Sequence, residues 1–135
     1  RRTSYALPSP PSTVSIMPKL QLGRWGEGVA ADHLVLRGWT IVHRNFRAGR
    51  REIDLIASRG DVVAFVEVKT RSGPNFGHPL ESITRSKRRE IERAAEIWVT
   101  LHGVPRSTYR FDALTIVRGP RGLPVVEHLH DAWRG

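Results

Sequence analysis

Between Gly23 and Arg37 the apolar positions recur at helical spacing. Ala30, Ala31 and Leu34 share a face with Glu27, and Trp25, Val29 and Leu36 form a second apolar arc. Gly38 is a natural stop, so the pattern predicts a helix over 23–37. The period then shortens to two. In "WTIVHRNFR" (39–47) Trp39, Ile41 and His43 alternate with Thr40, Val42 and Arg44, which predicts a strand. "AGR" turns the chain into a second strand, "REIDLIAS" (51–58), and the tight turn "SRGD" (58–61) leads to a third, Val62 to Thr70. After a Gly/Pro loop, "SGPNFGHP" (72–79), a second helix is predicted over 84–102. It places Ile91, Ala94, Ala95 and Trp98 on one face and ends at Gly103. "TYRFDALTIVRG" predicts a fourth strand and "PVVEHLHDAW" a shorter fifth.

The order α-β-β-β-α-β-β, without internal repeat, predicts an α/β fold in which a mixed β-sheet is flanked by helices. The 135 residues suit one domain, expected over 19–135. Residues 1–18, "RRTSYALPSPPSTVSIMP", are crowded with Pro, Ser and Thr. They are expected to be a disordered leader or upstream extension, with Met17 as the natural start. They lack the apolar core of a signal peptide, and no apolar run reaches the ~20 residues of a membrane span, so a cytoplasmic protein is expected. The absence of cysteine excludes disulfides, zinc–thiolate sites and thiol nucleophiles.

Charge changes the picture. The net charge is +9, and still +7 (9 − 2) without Arg1 and Arg2, so the basic surplus belongs to the domain. Such a surplus favours a polyanion as partner, most simply nucleic acid, DNA first with RNA as the competitor. A membrane surface is the rival reading, but the sequence has no separate amphipathic anchor helix.

Against that background the third strand, "VVAFVEVKTR", poses a chemical question. Its apolar run carries Glu67 and Lys69 on one face at its end. Asp54 is another charge within an apolar strand, and a hairpin between the two strands can bring Asp54 and Glu67 together. Glu27 interrupts a stripe of Ala and Leu. Two buried acids repel unless a cation lies between them, and oxygen donors of this type suit Mg²⁺ or Mn²⁺. A neighbouring lysine can orient water and offset charge on a phosphate. The plainer alternative makes Glu67 and Lys69 a solvent-facing pair and Asp54 a turn cap or an arginine partner.

The segments "GRWGEGVAADHL", "GWTIVHRNFR", "EIDLIA", "VAFVEVKTRSG", "FGHPLESITRSKRREIERAAEIW" and "YRFDALTIV" resemble, in order, the motifs of the bacterial YraN-like family. That family is similar to the PD-(D/E)XK nuclease superfamily and to archaeal Holliday-junction resolvases. The resemblance covers Leu22 to about Trp133. It implies a restriction-endonuclease-like core and a metal-dependent endonuclease acting on branched or distorted DNA, with Mg²⁺ or Mn²⁺ as cofactor. By it Asp54 and Glu67 would bind the metal, together with the backbone carbonyl of Val68. Lys69 would complete the (D/E)XK pair, and Glu27 would be the helix acid that assists. A homodimer is implied by the symmetry of junction cutting. One position departs: Arg51 stands where the family carries glycine before "EIDLI". The alternatives are a nucleic-acid-binding module that has lost catalysis, and a protein adaptor whose charge is incidental.

Two further features fit a nucleic-acid surface. Arg71 opens a loop in which Phe76 either anchors the loop or meets a base. Arg85, Lys87, Arg88 and Arg89 open the second helix, facing either phosphates or only solvent beside Glu90, Glu92 and Glu96; Lys87 is the preferred phosphate contact. The six histidines, among them His43, His78, His128 and His130, lack zinc-type spacing and are taken as non-catalytic.

Overall fold

The computed structural model describes residues 18–71 and 79–135, so the expected leader and the loop with Phe76 and His78 lie outside the described residues. The elements are α1 (Lys19–Leu36), β1 (Thr40–Ala48), β2 (Arg51–Arg59), β3 (Val62–Arg71), α2 (Arg85–His102), β4 (Thr108–Arg118) and β5 (Pro124–Trp133). The strands form one sheet in the order β1-β2-β3-β4-β5. Neighbours are antiparallel except β3 and β4, which run parallel because α2 carries the chain back between them. This is the α/β mixed sheet flanked by helices that the element order predicts, and it is consistent with the restriction-endonuclease-like core that the resemblance implies.

The sheet is covered on both faces, which is why β3 is apolar throughout its first five residues. On one face Val29, Ala30, Ala31 and Leu34 of α1 pack on Leu55, Ala57, Val66, Val68 and Leu114. On the other, Ile91, Ala94, Ala95 and Trp98 of α2 pack on Ile53, Ile56, Phe65 and Ala113. Since Val66 and Val68 belong to the α1 layer and Phe65 to the α2 layer, alternation hands Glu67 and Lys69 to the α2 side.

Helix α2 follows the sequence pattern closely. The Thr84 hydroxyl caps it by accepting the Lys87 N–H at 3.1 Å, and Gly103 closes it. Helix α1 begins at Lys19, four positions (23 − 19) before its periodicity. Pro18, at φ −54°, presets the first turn, while Gly23, Gly26 and Gly28 dilute the apolar signal that would have shown it. Strand β5 covers all 10 residues of "PVVEHLHDAW" and is shorter than the 11-residue β4, as expected. A register shift between Phe111 and Ala113, with Asp131 at φ 53°, lets it continue alongside β4.

Gly26 sets the distance between α1 and β3. A Cβ there would lie 1.8 Å from Thr70 Oγ1 and 2.9 Å from Thr70 Cβ, whereas one at Gly28 would meet nothing within 4 Å. Gly26→Ala is therefore expected to destabilise the fold by about 1–3 kcal/mol through overpacking. Gly28→Ala should be neutral or stabilising by up to ~1 kcal/mol through helix propensity. Urea unfolding of the two variants measures the contrast; equal stabilities would mean that α1 does not need the close approach.

Candidate metal and nucleic-acid site

The site forms where two strands part. Pairing between β2 and β3 runs from Arg59↔Val62 to Leu55↔Val66 and stops there. In the gap beyond, the Val68 N–H donates to Asp54 Oδ2 at 2.8 Å, so a side chain replaces the next ladder partner. A strand residue directs its N–H and C=O to the same edge, so the Val68 carbonyl faces this gap as well. Glu67 enters from the α2 side. Its side chain is 4% exposed, and its Oε2 faces Lys69 Nζ at 3.6 Å with the lysine one-third exposed. The solvent-facing alternative for this pair is thus ruled out for Glu67, and Asp54 pairs with no arginine among the described residues.

Glu27 reaches the same region from α1, where its Oε1 accepts from Asn45 Nδ2 at 3.1 Å. The hydrophobic pattern does not single out Asn45. It falls opposite Asp54, between the pairs Arg44↔Leu55 and Phe46↔Ile53, with φ 51°. Asparagine tolerates that left-handed backbone, and its presence in mid-strand is the available signal.

The Asp54 and Glu67 carboxyls both keep their protons above the usual range. Burial, then the neighbouring Glu67 carboxyl, pushes Asp54 up to about 8; Glu27 acts in the same direction, and the Val68 N–H opposes them. Burial pushes Glu67 up as well, against the pull of Lys87 and then Lys69. Glu67 Oε1 is buried without a hydrogen-bond partner. Such an oxygen is costly unless something binds it. The half-buried Asp54 and the buried Glu67 carboxyls, with the Val68 carbonyl facing the same gap, offer oxygen donors of the kind a small hard divalent ion takes.

The basic residues divide into two groups. Lys87, in the first turn of α2, pulls the Glu67 carboxyl down, as Lys69 does. Arg71, Arg85 and Arg89 are exposed. Arg88 is instead tied into the fold, donating to the Ile83 carbonyl at 3.1 Å and lying 5.7 Å over the Trp133 ring.

The sequence pattern also misses a second polar cluster. Asp112, fully buried on β4, lies within 4.8 Å ligand-atom reach of His128 and His130, and the three could hold a metal ion. The acid inside "RFDAL" carries the same signal as Asp54, a charge in an apolar strand. Its partners are already numerous, however. Arg110 donates to both carboxylate oxygens, at 2.9 and 3.0 Å; His128 Nε2 lies at 2.7 Å, and the Asp131 N–H donates at 2.9 Å. Burial pushes Asp112 up, but these hydrogen bonds outweigh it and hold the carboxyl below its usual range. Arg110 Nη2 also sits 2.6 Å from His130 Nδ1. Arg110 already takes up both carboxylate oxygens, and the cluster ties β5 to β4 through the contacts of His128 and the Asp131 N–H with Asp112.

Comparison with known proteins agrees with the motif order. The model of the family described as "Uncharacterised protein family UPF0102" matches residues 26–116, more than half of the chain. The UPF0102 protein of Streptomyces coelicolor is 44% identical over 79% of this chain and 84% of its own length. That of Rhodococcus jostii is 45% identical over 84% and 97%, and that of Chlorobaculum tepidum 48% identical over 71% and 74%. The match spans the glycine contact of α1, the Asp54 strand, the Glu67–Lys69 strand and α2. The chain belongs to the UPF0102 family.

Proposed function

We propose that the protein is a metal-dependent endonuclease that hydrolyses phosphodiester bonds of DNA, with branched or distorted DNA as its substrate. The observation that carries this reading is the fork: Asp54 half-buried beside the buried Glu67, Glu67 Oε1 without a partner, and Lys69 Nζ 3.6 Å from the other oxygen. Asp54, Glu67 and the Val68 carbonyl would hold Mg²⁺ or Mn²⁺. When bound, the ion neutralises the acids and polarises a phosphate oxygen. Lys69 orients the water that attacks phosphorus and offsets the negative charge that builds as the bond to the leaving deoxyribose oxygen breaks. Glu27, held by Asn45, accepts hydrogen bonds from water in the gap. Arg71, Arg85 and Lys87 hold the backbone beside the fork and Arg89 holds it further along α2, with Arg88 supporting that helix. A homodimer would supply the two incisions that resolve a symmetric junction. Among the described residues no helix is long and apolar enough to cross a membrane.

The test is cleavage of end-labelled four-way-junction and linear duplex DNA with Mg²⁺, with Mn²⁺ and with chelator. Metal-dependent cutting, faster on the junction, is the expected result. Salt-sensitive binding without cutting under any of these conditions would overturn the nuclease reading and leave a binding module on the same fold.

A further inference from the structure

Beside the fork, Arg51 at the start of β2 meets the flank of α2 across a cavity of about 240 Å³ that Ser86, Arg89, Glu90 and Arg93 complete. The helical residues follow the spacing i, i+3, i+4, i+7, so they form one stripe along α2. Arg51 is half-buried and the helical residues are exposed. The lining carries three cations and one anion, a balance of +2 (3 − 1). Among the described residues the three guanidinium groups make no hydrogen bond or ion pair. Like charges gathered without partners repel each other, an arrangement that a bound anion relieves. The cavity is several times the ~30 Å³ that one water occupies in the liquid, which leaves room for a phosphate group.

We infer that Arg51, Arg89 and Arg93 form a second phosphate-binding subsite that takes a backbone phosphodiester of the same DNA held at the fork. This rests on the nuclease reading and deepens it by fixing the path of the DNA. Arg51 is three residues from Asp54 along β2, about 10 Å at ~3.3 Å per residue, or about three nucleotides at ~3.4 Å per nucleotide. The DNA then runs from the fork along the flank of α2 that faces the β1–β2 turn, away from the opposite flank, where Glu92 accepts from Trp133 and Arg88 lies over its ring. Guanidinium groups suit this position because their planar fork meets phosphate oxygens two at a time.

The experiment measures four-way-junction binding by fluorescence anisotropy, with chelator, from about 50 to 200 mM salt. It compares the intact chain, Arg51→Gly, the triple variant R51G/R89A/R93A, and Arg106→Gly. The last removes one charge from the loop beyond the far end of α2, at a residue whose φ of 71° suits glycine. The triple variant is expected to bind about 10-fold more weakly and to lower the salt slope by about 1, the share of one neutralised phosphate. Arg51→Gly should weaken binding several-fold, and Arg106→Gly less than twofold. Equal losses for Arg51→Gly and Arg106→Gly would reduce the effect to net charge and overturn the subsite alone. An intact chain that does not bind the junction would overturn the subsite and the nucleic-acid reading together. Circular dichroism of each variant excludes unfolding as the cause.

Discussion

Lys69→Ala will bind a labelled four-way junction within about threefold of the unsubstituted chain and cut it about 10³-fold more slowly. The two effects separate because of where the side chain sits. Lys69 lies at the end of β3, one-third exposed and outside both apolar clusters, so its removal opens no cavity in either layer. One cation lost from a chain of net charge +9 changes the phosphate-directed attraction only modestly. On the proposed nuclease reading the ammonium next to Glu67 would act where charge develops on a phosphate held at the fork, and losing a group that acts only there lowers the rate without lowering affinity. Lys69→Arg sharpens the test: it retains the charge and so the binding, but its planar guanidinium does not reproduce a compact ammonium, and cutting should stay well below that of the intact chain. Cutting by Lys69→Ala at the unsubstituted rate would remove the lysine from the chemistry.

Much of this site is legible in the amino-acid sequence, because its central pieces follow local rules. Period-two alternation places Glu67 and Lys69 on one side of β3, and period-3.6 spacing finds the buried face of α2 at Ile91, Ala94, Ala95 and Trp98. What stays hidden depends on distant parts of the chain. The parting of β2 from β3 after Leu55↔Val66 is a tertiary event, and the hydrogen bond from Val68 to Asp54 exists only because of it. Asn45 enters through a left-handed backbone that alternation does not anticipate. The start of α1 is masked by glycines, of which Gly26 is needed for contact with Thr70, a residue 44 positions away (70 − 26). Asp112 is missed because two of its partners, His128 and the Asp131 N–H, reach it only through an irregular β4–β5 register. Arg51, in the sequence only a departure from glycine, gains meaning once α2 lies across from it.

Asp54→Asn will make the protein more stable in chelator and, on the proposed nuclease reading, unable to cut. In the unfolded chain Asp54 ionises near 3.8; in the folded chain burial and Glu67 hold its proton until about 8. Between those values the folded state keeps a proton that the unfolded state has lost, so stability falls as pH rises through the window and levels off above it. The buried Glu67 carboxyl, pushed in the same direction, steepens the decline. His33, lowered to about 4 by burial and then by Arg37, His128 and His130, works oppositely up to pH 6.5. Its contribution is common to both proteins and cancels in the difference between variant and parent. That difference should grow with pH and reach roughly 2–4 kcal/mol in favour of Asp54→Asn at pH 8. The amide can still accept the Val68 N–H, so no hydrogen bond is lost to mask the gain. Mn²⁺ reverses the order: at 100 times its Kd it should stabilise the parent by about 2.7 kcal/mol and the variant far less. Urea unfolding at pH 6.5 and 8, with Mn²⁺ and with chelator, reads all of this without an activity assay. A parent whose stability ignores both pH and Mn²⁺ would mean that the acids at the fork are not held together for a cation.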